Sequence, residues 1–168
     1  MSLKKWTVKR VLKEILSTVV IFFIISMVLN YIRKPDVTEN IYDYHLADIR
    51  GESIAFETYK GKPLLVHFWA TWCPTCKLEA SNIESVSKHY NVVTIAVNSG
   101  SNEELLGYLK EKELSYKVIN DFDGKLSKKF NIEAYPSTLI YNPKGELSFT
   151  EVGYSTTLGL EARLKLLK

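Results

Sequence analysis

Three apolar patterns follow one another along the chain. Ile15 to Ile32 (ILSTVVIFFIISMVLNYI) is a continuous apolar run without a charged residue, and only Ser17, Thr18, Ser26 and Asn30 in it are clearly polar. A hydrocarbon core about 30 Å thick needs about 20 helical residues, so the run predicts one membrane span with Tyr31 and the basic flanks at the interface. It is long for the apolar stretch of a cleaved signal peptide, and no A-x-A-like site follows it. The segment from Lys34 to Tyr44 (KPDVTENIYDY), with a proline and alternating charge, reads as a short tether. The expected organisation is therefore 1–14 before the span, 15–32 as the anchor, 33–43 as the linker and 44–168 as a folded domain.

In that domain the apolar period switches between two and 3.6. His45 to Asp48 and Ser53 to Phe56 predict a hairpin about Arg50-Gly51-Glu52, and Leu64 to Trp69, all apolar except His67, suits a strand buried on both faces. A helix from Pro74 to Tyr90 follows, then a strand at Val92 to Asn98, a helix at Asn102 to Lys112 and a short strand at Tyr116 to Ile119. After a short helix at Gly124 to Phe130, two strands, Ser137 to Tyr141 and Leu147 to Glu151, are joined by Asn142-Pro143-Lys144-Gly145. An amphipathic helix at Thr156 to Leu167 closes the chain. βαβ first, hairpin plus helix last: this order predicts an α/β domain with a mixed central sheet and helices on both faces.

Composition and charge narrow the function classes. The 168 residues, 46% hydrophobic and 24% charged, carry enough apolar content for one core and too little charge excess for disorder. The formal net charge of +3 is concentrated around the apolar run: residues 1–14 carry five basic side chains against one acidic, and Arg33 and Lys34 follow it. Residues 35–168 hold 15 basic and 18 acidic side chains, a net of −3. Nucleic acid is thus not an expected partner. The same asymmetry, by the positive-inside rule, places the N-terminus in the cytoplasm of a single-pass protein of the cytoplasmic membrane, with the domain in the periplasm or outside.

The candidate chemistry is concentrated at one point. The only cysteines, Cys73 and Cys76, form Cys-Pro-Thr-Cys directly after a buried strand and at the start of a helix. There Cys73 falls at or near the N-cap and Pro74 at the first helical position, where its missing N–H costs nothing. Unpaired amides and the helix dipole favour a thiolate, so the Cys73 pKa is expected to be lowered, with Cys76 less exposed and placed to resolve a mixed disulfide. Two thiolates are too few for a zinc site, and His45, His67 and His89 form no spaced set with them. A c-type haem would need His where Lys77 stands, and a structural disulfide across two residues closes too small a loop to stabilise much. No metal or other cofactor is expected for redox chemistry, whereas Cu(I) binding by the two thiolates is a different use of the same pair.

At these residues the sequence is similar to a known family. Phe68-Trp69-Ala70-Thr71-Trp72-Cys73-Pro74-Thr75-Cys76 with Glu79, and Ala134-Tyr135-Pro136-Ser137-Thr138 about 60 residues on, resemble the active-site segment and cis-proline loop of thioredoxin-fold proteins, in particular membrane-anchored TlpA-like thiol:disulfide oxidoreductases. The closing pattern, Asn120 to Gly124 and Gly153 to Leu160, is most similar to suppressor-of-copper-sensitivity type D proteins. Cytochrome c maturation thioredoxins share Trp-Cys-Pro-Thr-Cys, but their Gly-Ala-Pro-Glu beside the cis-proline is not present here.

The resemblance implies Cys73 as the exchanging cysteine, Cys76 as the resolving one, and Pro136 holding the Tyr135 backbone against a bound peptide. Trp72, Pro74 and Thr75 would complete the substrate-binding surface, and Trp69 would be core. His67 stands where ordinary thioredoxins carry a buried aspartate. It is either a hydrogen-bonded core histidine or an acceptor for the Cys76 proton. Glu79, one turn after Cys76, is either a buried proton acceptor with a raised pKa or an ordinary surface carboxylate. Expected partners are extracytoplasmic proteins with disulfides or thiols, and a membrane thiol reductase as electron donor.

Overall fold

The computed structural model describes residues 8–32 and 40–168. The chain divides into two compact units, Met1–Lys34 and Pro35–Lys168. In the first, helix α1 spans Val8–Ile32. Among the described residues no helix is long and apolar enough to cross a membrane, so the anchor expected at 15–32 stands on the sequence pattern. Residues 1–7, and 33–39 of the expected linker, lie outside the described residues.

The linker ends earlier than expected. Ile41–Asp43 form a 3-10 turn whose Ile41 is 1% exposed and whose Tyr42 is 7% exposed. The Ile41 N–H donates to Gly145 O, Asn40 Nδ2 to Lys144 O and the Tyr42 hydroxyl to Pro143 O. Alternating charge made this stretch look solvated, yet two apolar side chains and three distant carbonyls draw it into the domain.

β1 (His45–Ala47) and β2 (Ser53–Ala55) then form the expected antiparallel hairpin. A second 3-10 turn, Phe56–Tyr59, follows. The main elements are β3 (Leu64–Trp69), α2 (Pro74–Ser87), β4 (Asn91–Val97), α3 (Asn102–Glu111), β5 (Lys117–Asp121), α4 (Lys125–Lys129), β6 (Ser137–Tyr141), β7 (Leu147–Val152) and α5 (Thr157–Leu166). The sheet order is β5-β4-β3-β6-β7. β3, β4 and β5 are parallel, and β6 and β7 add antiparallel at the other side.

Alternation along β3 sorts the core into two layers. Leu65 and Trp69 pack with Ile83 and Val86 of α2, Leu105 and Leu109 of α3, and Leu160 and Leu164 of α5. Leu64, Val66 and Phe68 face the opposite layer, made of Ile41, Tyr44, Ile54, Phe56 and Phe130. Two successive crossovers step in the same direction across the sheet, from β3 to β4 and from β4 to β5, and right-handed crossovers of that kind put both helices on one face. Hence α2 and α3 share a face, and α5 packs on the same layer through Leu160 and Leu164. The other carries the hairpin, the 3-10 turns and only the short α4, a less even distribution of helices than expected. In that layer Phe130 packs at 4.9 Å from Tyr44 and 5.3 Å from Phe68 between ring centroids. Burying one such ring is worth about 1.5–3 kcal/mol.

The strand directions also decide where function can sit. The carboxyl ends of β3, β4 and β5 lie at one pole with the amino end of β6 and the carboxyl end of β7. Loops 70–73, 98–101, 122–124, 134–136 and 153–156 therefore gather there. The chain enters the domain at the opposite pole, on the β6–β7 turn.

Candidate active site

The cysteine pair sits where β3 gives way to α2. Cys73 is the N-cap of α2, in extended conformation, and Pro74 occupies the first turn. The Cys76 N–H donates to Cys73 Sγ at 3.2 Å. A sulfur thus takes the role that an oxygen has in an ordinary cap, satisfying one of the amides a helix start leaves unpaired. The two cysteines are joined by a disulfide with Cα atoms 5.3 Å apart. Cys73 is 5% and Cys76 3% exposed, so in the oxidised state burial does not separate them as the sequence suggested. Pro74 is exposed and Thr75 half-buried.

The second motif closes over the first. Tyr135–Pro136 is a cis peptide, and the Tyr135 carbonyl oxygen lies 3.7 Å from Cys73 Sγ. The Pro136 carbonyl is held by the Gly153 N–H at 2.8 Å, tying this loop to the end of β7. Trp72 is 57% exposed, stands edge-on to the Tyr135 ring at 5.8 Å and donates through Nε1 to Asn98 O at 3.1 Å. Trp69 is core as expected: buried, with its Nε1 donating to Thr94 Oγ1.

Two ionisable residues lie under this surface. Helix α2 buries Cys76, Glu79, Ile83 and Val86 along one stripe at helical spacing. Glu79 has no exposed surface. Its Oε1 accepts the Ser155 N–H at 3.0 Å, and Oε2 is buried without a partner. Burial pushes its pKa from 4.5 up to about 7, only partly offset by the bonds to Ser155. His67 is buried on the same face of β3 as Leu65 and Trp69, its Nδ1 hydrogen-bonded to Thr138 Oγ1 at 2.9 Å across the β3–β6 pair. Burial lowers its pKa from 6.5 to about 3, so the ring is neutral at physiological pH.

Motif reading missed Asn98 and Ser99, and named Thr138 and Ser155 only as parts of the proline loop and of the closing pattern. Ser99 Oγ accepts the Thr71 N–H at 3.0 Å, pinning the turn that carries Trp72. No local signal marks these residues, because each acts through a partner far away in sequence. Among the described residues, no cluster of three or more His, Cys, Asp or Glu could hold a metal ion.

A CxxC pair capping a helix after a buried parallel strand, with the carbonyl that precedes a cis-proline beside the first sulfur, defines a thioredoxin-like thiol:disulfide oxidoreductase. Comparison with known proteins agrees. The chain belongs to the AhpC/TSA family, whose pattern it matches over residues 37–150. A thioredoxin-like protein of Haemophilus influenzae is 31% identical over 159 residues, covering 94% of this chain and 95% of its own length. The sporulation thiol-disulfide oxidoreductase A of Bacillus subtilis is 33% identical over 115 residues, 64% of this chain and 69% of that protein. Among solved structures, StoA from Bacillus subtilis superposes with a TM-score of 0.63 at 27% identity, covering 71% of this chain and 93% of StoA.

Proposed function

We propose that this protein is a membrane-anchored disulfide reductase acting outside the cytoplasm. The observation that carries the reading is the Cys73 sulfur capping α2, held by the Cys76 N–H and lying beside the Tyr135 carbonyl. In the reduced protein that amide and the helix dipole favour a Cys73 thiolate. The thiolate attacks one sulfur of a target disulfide, forming a mixed disulfide and releasing the target's other sulfur as a thiolate. Cys76 then attacks Cys73 Sγ, expels the second target sulfur and leaves the Cys73–Cys76 disulfide. Two electrons pass to the target, and two protons end on its thiols.

Cys76 must lose its proton before it resolves. Glu79, one turn further along the same buried stripe with a pKa of about 7, is matched to accept it near neutral pH. His67, held neutral with Nδ1 bonded to Thr138, is the weaker base and serves as a core histidine. Trp72, Pro74, Thr75, Tyr135 and Pro136 form the surface that meets the substrate.

Anchoring at 15–32 is supported by the sequence pattern, a charge-free apolar run from Ile15 to Ile32 between basic flanks. A run of this length without a charge suits a hydrocarbon core. The basic excess before the span places the domain outside, where a membrane thiol reductase would recharge it. The pattern at 120–124 and 153–160 supports a finer placement among TlpA-like proteins of the suppressor-of-copper-sensitivity type D.

The test is the reduction potential of residues 35–168, equilibrated with thiol–disulfide buffers. A value toward about −270 mV, as in thioredoxin, supports the reductase, and one near about −120 mV makes the protein a disulfide donor instead. Labelling of the full chain in intact cells by a membrane-impermeant maleimide, after mild reduction, checks the location. Absence of labelling sinks it.

A further inference from the structure

The hydrogen bond from Trp72 leads to a residue that the exchange reaction does not need. Asn98 follows β4 in the left-handed region, at φ 45°. Its carbonyl accepts Trp72 Nε1 at 3.1 Å. Its side-chain Nδ2 donates to Phe122 O at 3.1 Å, and its own N–H donates to Asp121 O at 3.1 Å. One residue therefore ties the turn carrying Trp72 to the turn carrying Phe122. The fit is close: Gly124 has φ 69°, and a Cβ there would stand 3.1 Å from Asn98 Oδ1. Phe122 is 66% and Trp72 57% exposed, both on loops of the pole that bears Cys73. An exposed phenylalanine at a two-residue turn contributes nothing to either core layer. Hydrogen bonds spent on holding its turn against the tryptophan beside the reactive cysteine need another explanation.

We infer that Asn98 is a positioning residue for substrate selection: it holds together the turns that present the exposed Phe122 and Trp72 at the pole of Cys73, where Trp72 meets the Tyr135 ring. The preferred substrate is then an extended segment with an aromatic or large aliphatic side chain next to its disulfide cysteine. This rests on the reductase reading above and names the substrate class of the same site. Asn suits position 98 because it tolerates a positive φ and carries the amide donor, two properties that no other residue combines as readily.

The experiment uses the full chain in detergent, reduced, and two disulfide peptides that differ only in Phe or Ser beside the cysteine. Single-turnover rates against peptide concentration separate half-saturation from the limiting rate. The Phe peptide is expected to half-saturate at about three- to tenfold lower concentration, the range of one aromatic contact. Phe122→Ala should bring that ratio toward one. Asn98→Gly, which keeps the backbone conformation and the carbonyl acceptor but removes the amide, should do so in part, with limiting rates for the two peptides remaining in step. An unchanged ratio in both variants overturns the inference. So does an equal loss of all constants for both peptides, which would make Asn98 a residue of the fold alone. Failure of the unaltered protein to reduce either peptide would refute the reductase reading and this inference with it.

Discussion

Replacing Glu79 with Gln isolates the buried carboxyl beside the cysteine pair. In the fold this group titrates at about 7 instead of 4.5, which amounts to about 3 kcal/mol between its two protonation states. A carboxyl whose folded pKa lies above its unfolded value binds an extra proton in the fold. Its stabilising contribution is complete below pH 4.5 and is lost as pH rises through about 7. His67 has the opposite sign: lowered to about 3 in the fold, it contributes fully above pH 6.5 and is lost as pH falls. The two slopes oppose one another across much of the acid range, so the unaltered protein's profile alone reveals neither. The difference between it and Glu79→Gln does, because the amide is uncharged at every pH and keeps the acceptor for the Ser155 N–H.

Urea unfolding of oxidised residues 35–168 at pH 4.5, 6, 7 and 8 should give a stability difference, unaltered protein minus variant, that falls by about 3 kcal/mol across the series. A difference constant to within about 0.5 kcal/mol would refute the raised pKa. The same variant should lose the ionisation near pH 7 from its thiol-exchange profile and slow by about a hundredfold, the lower range of general-base assistance. A variant with the full rate and an unchanged profile would remove Glu79 from the proton path.

Other expectations follow from the same geometry. Cys76→Ser should accumulate a mixed disulfide between Cys73 and a target, visible on non-reducing gels, whereas Cys73→Ser should trap none; equal trapping by both would contradict the division of labour. Thr138→Val leaves the His67 Nδ1 unpaired in the core and should cost about 1–3 kcal/mol in urea unfolding at pH 7. Ser101 caps α3 in a reciprocal box with Glu104, so Ser101→Ala should cost about 1 kcal/mol by the same assay while leaving the reduction potential in place.

How far each feature could be read in advance depended on the range of the interactions behind it. The strand at Leu64–Trp69, the helix opening at Pro74 and the hairpin at 45–55 arise from near-neighbour patterning, and all three stand where the sequence puts them. The extent of the linker did not follow from composition. Asp43 is exposed beside the buried Ile41 and Tyr42, and the groups that bury them, at Pro143 to Gly145, are about a hundred residues away.

The cysteine pair shows the same division within one site. Spacing and a following proline were enough to predict a sulfur at the head of a helix, because capping is settled within four residues. The state of Glu79 was open in the sequence, since a carboxylate at i+3 suits a surface or a core equally well. Its burial was decided when α5 and the Ser155 loop packed over α2, 76 residues further on. His67 found its partner in Thr138 only through the β3–β6 register, and Asn98 joined Trp72 to Phe122 only because parallel strands end at one pole. Chain-local physics set the elements and the nucleophile. Desolvation and long-range pairing, which exist only once the layers close, set the proton affinities and the shape of the surface a substrate meets.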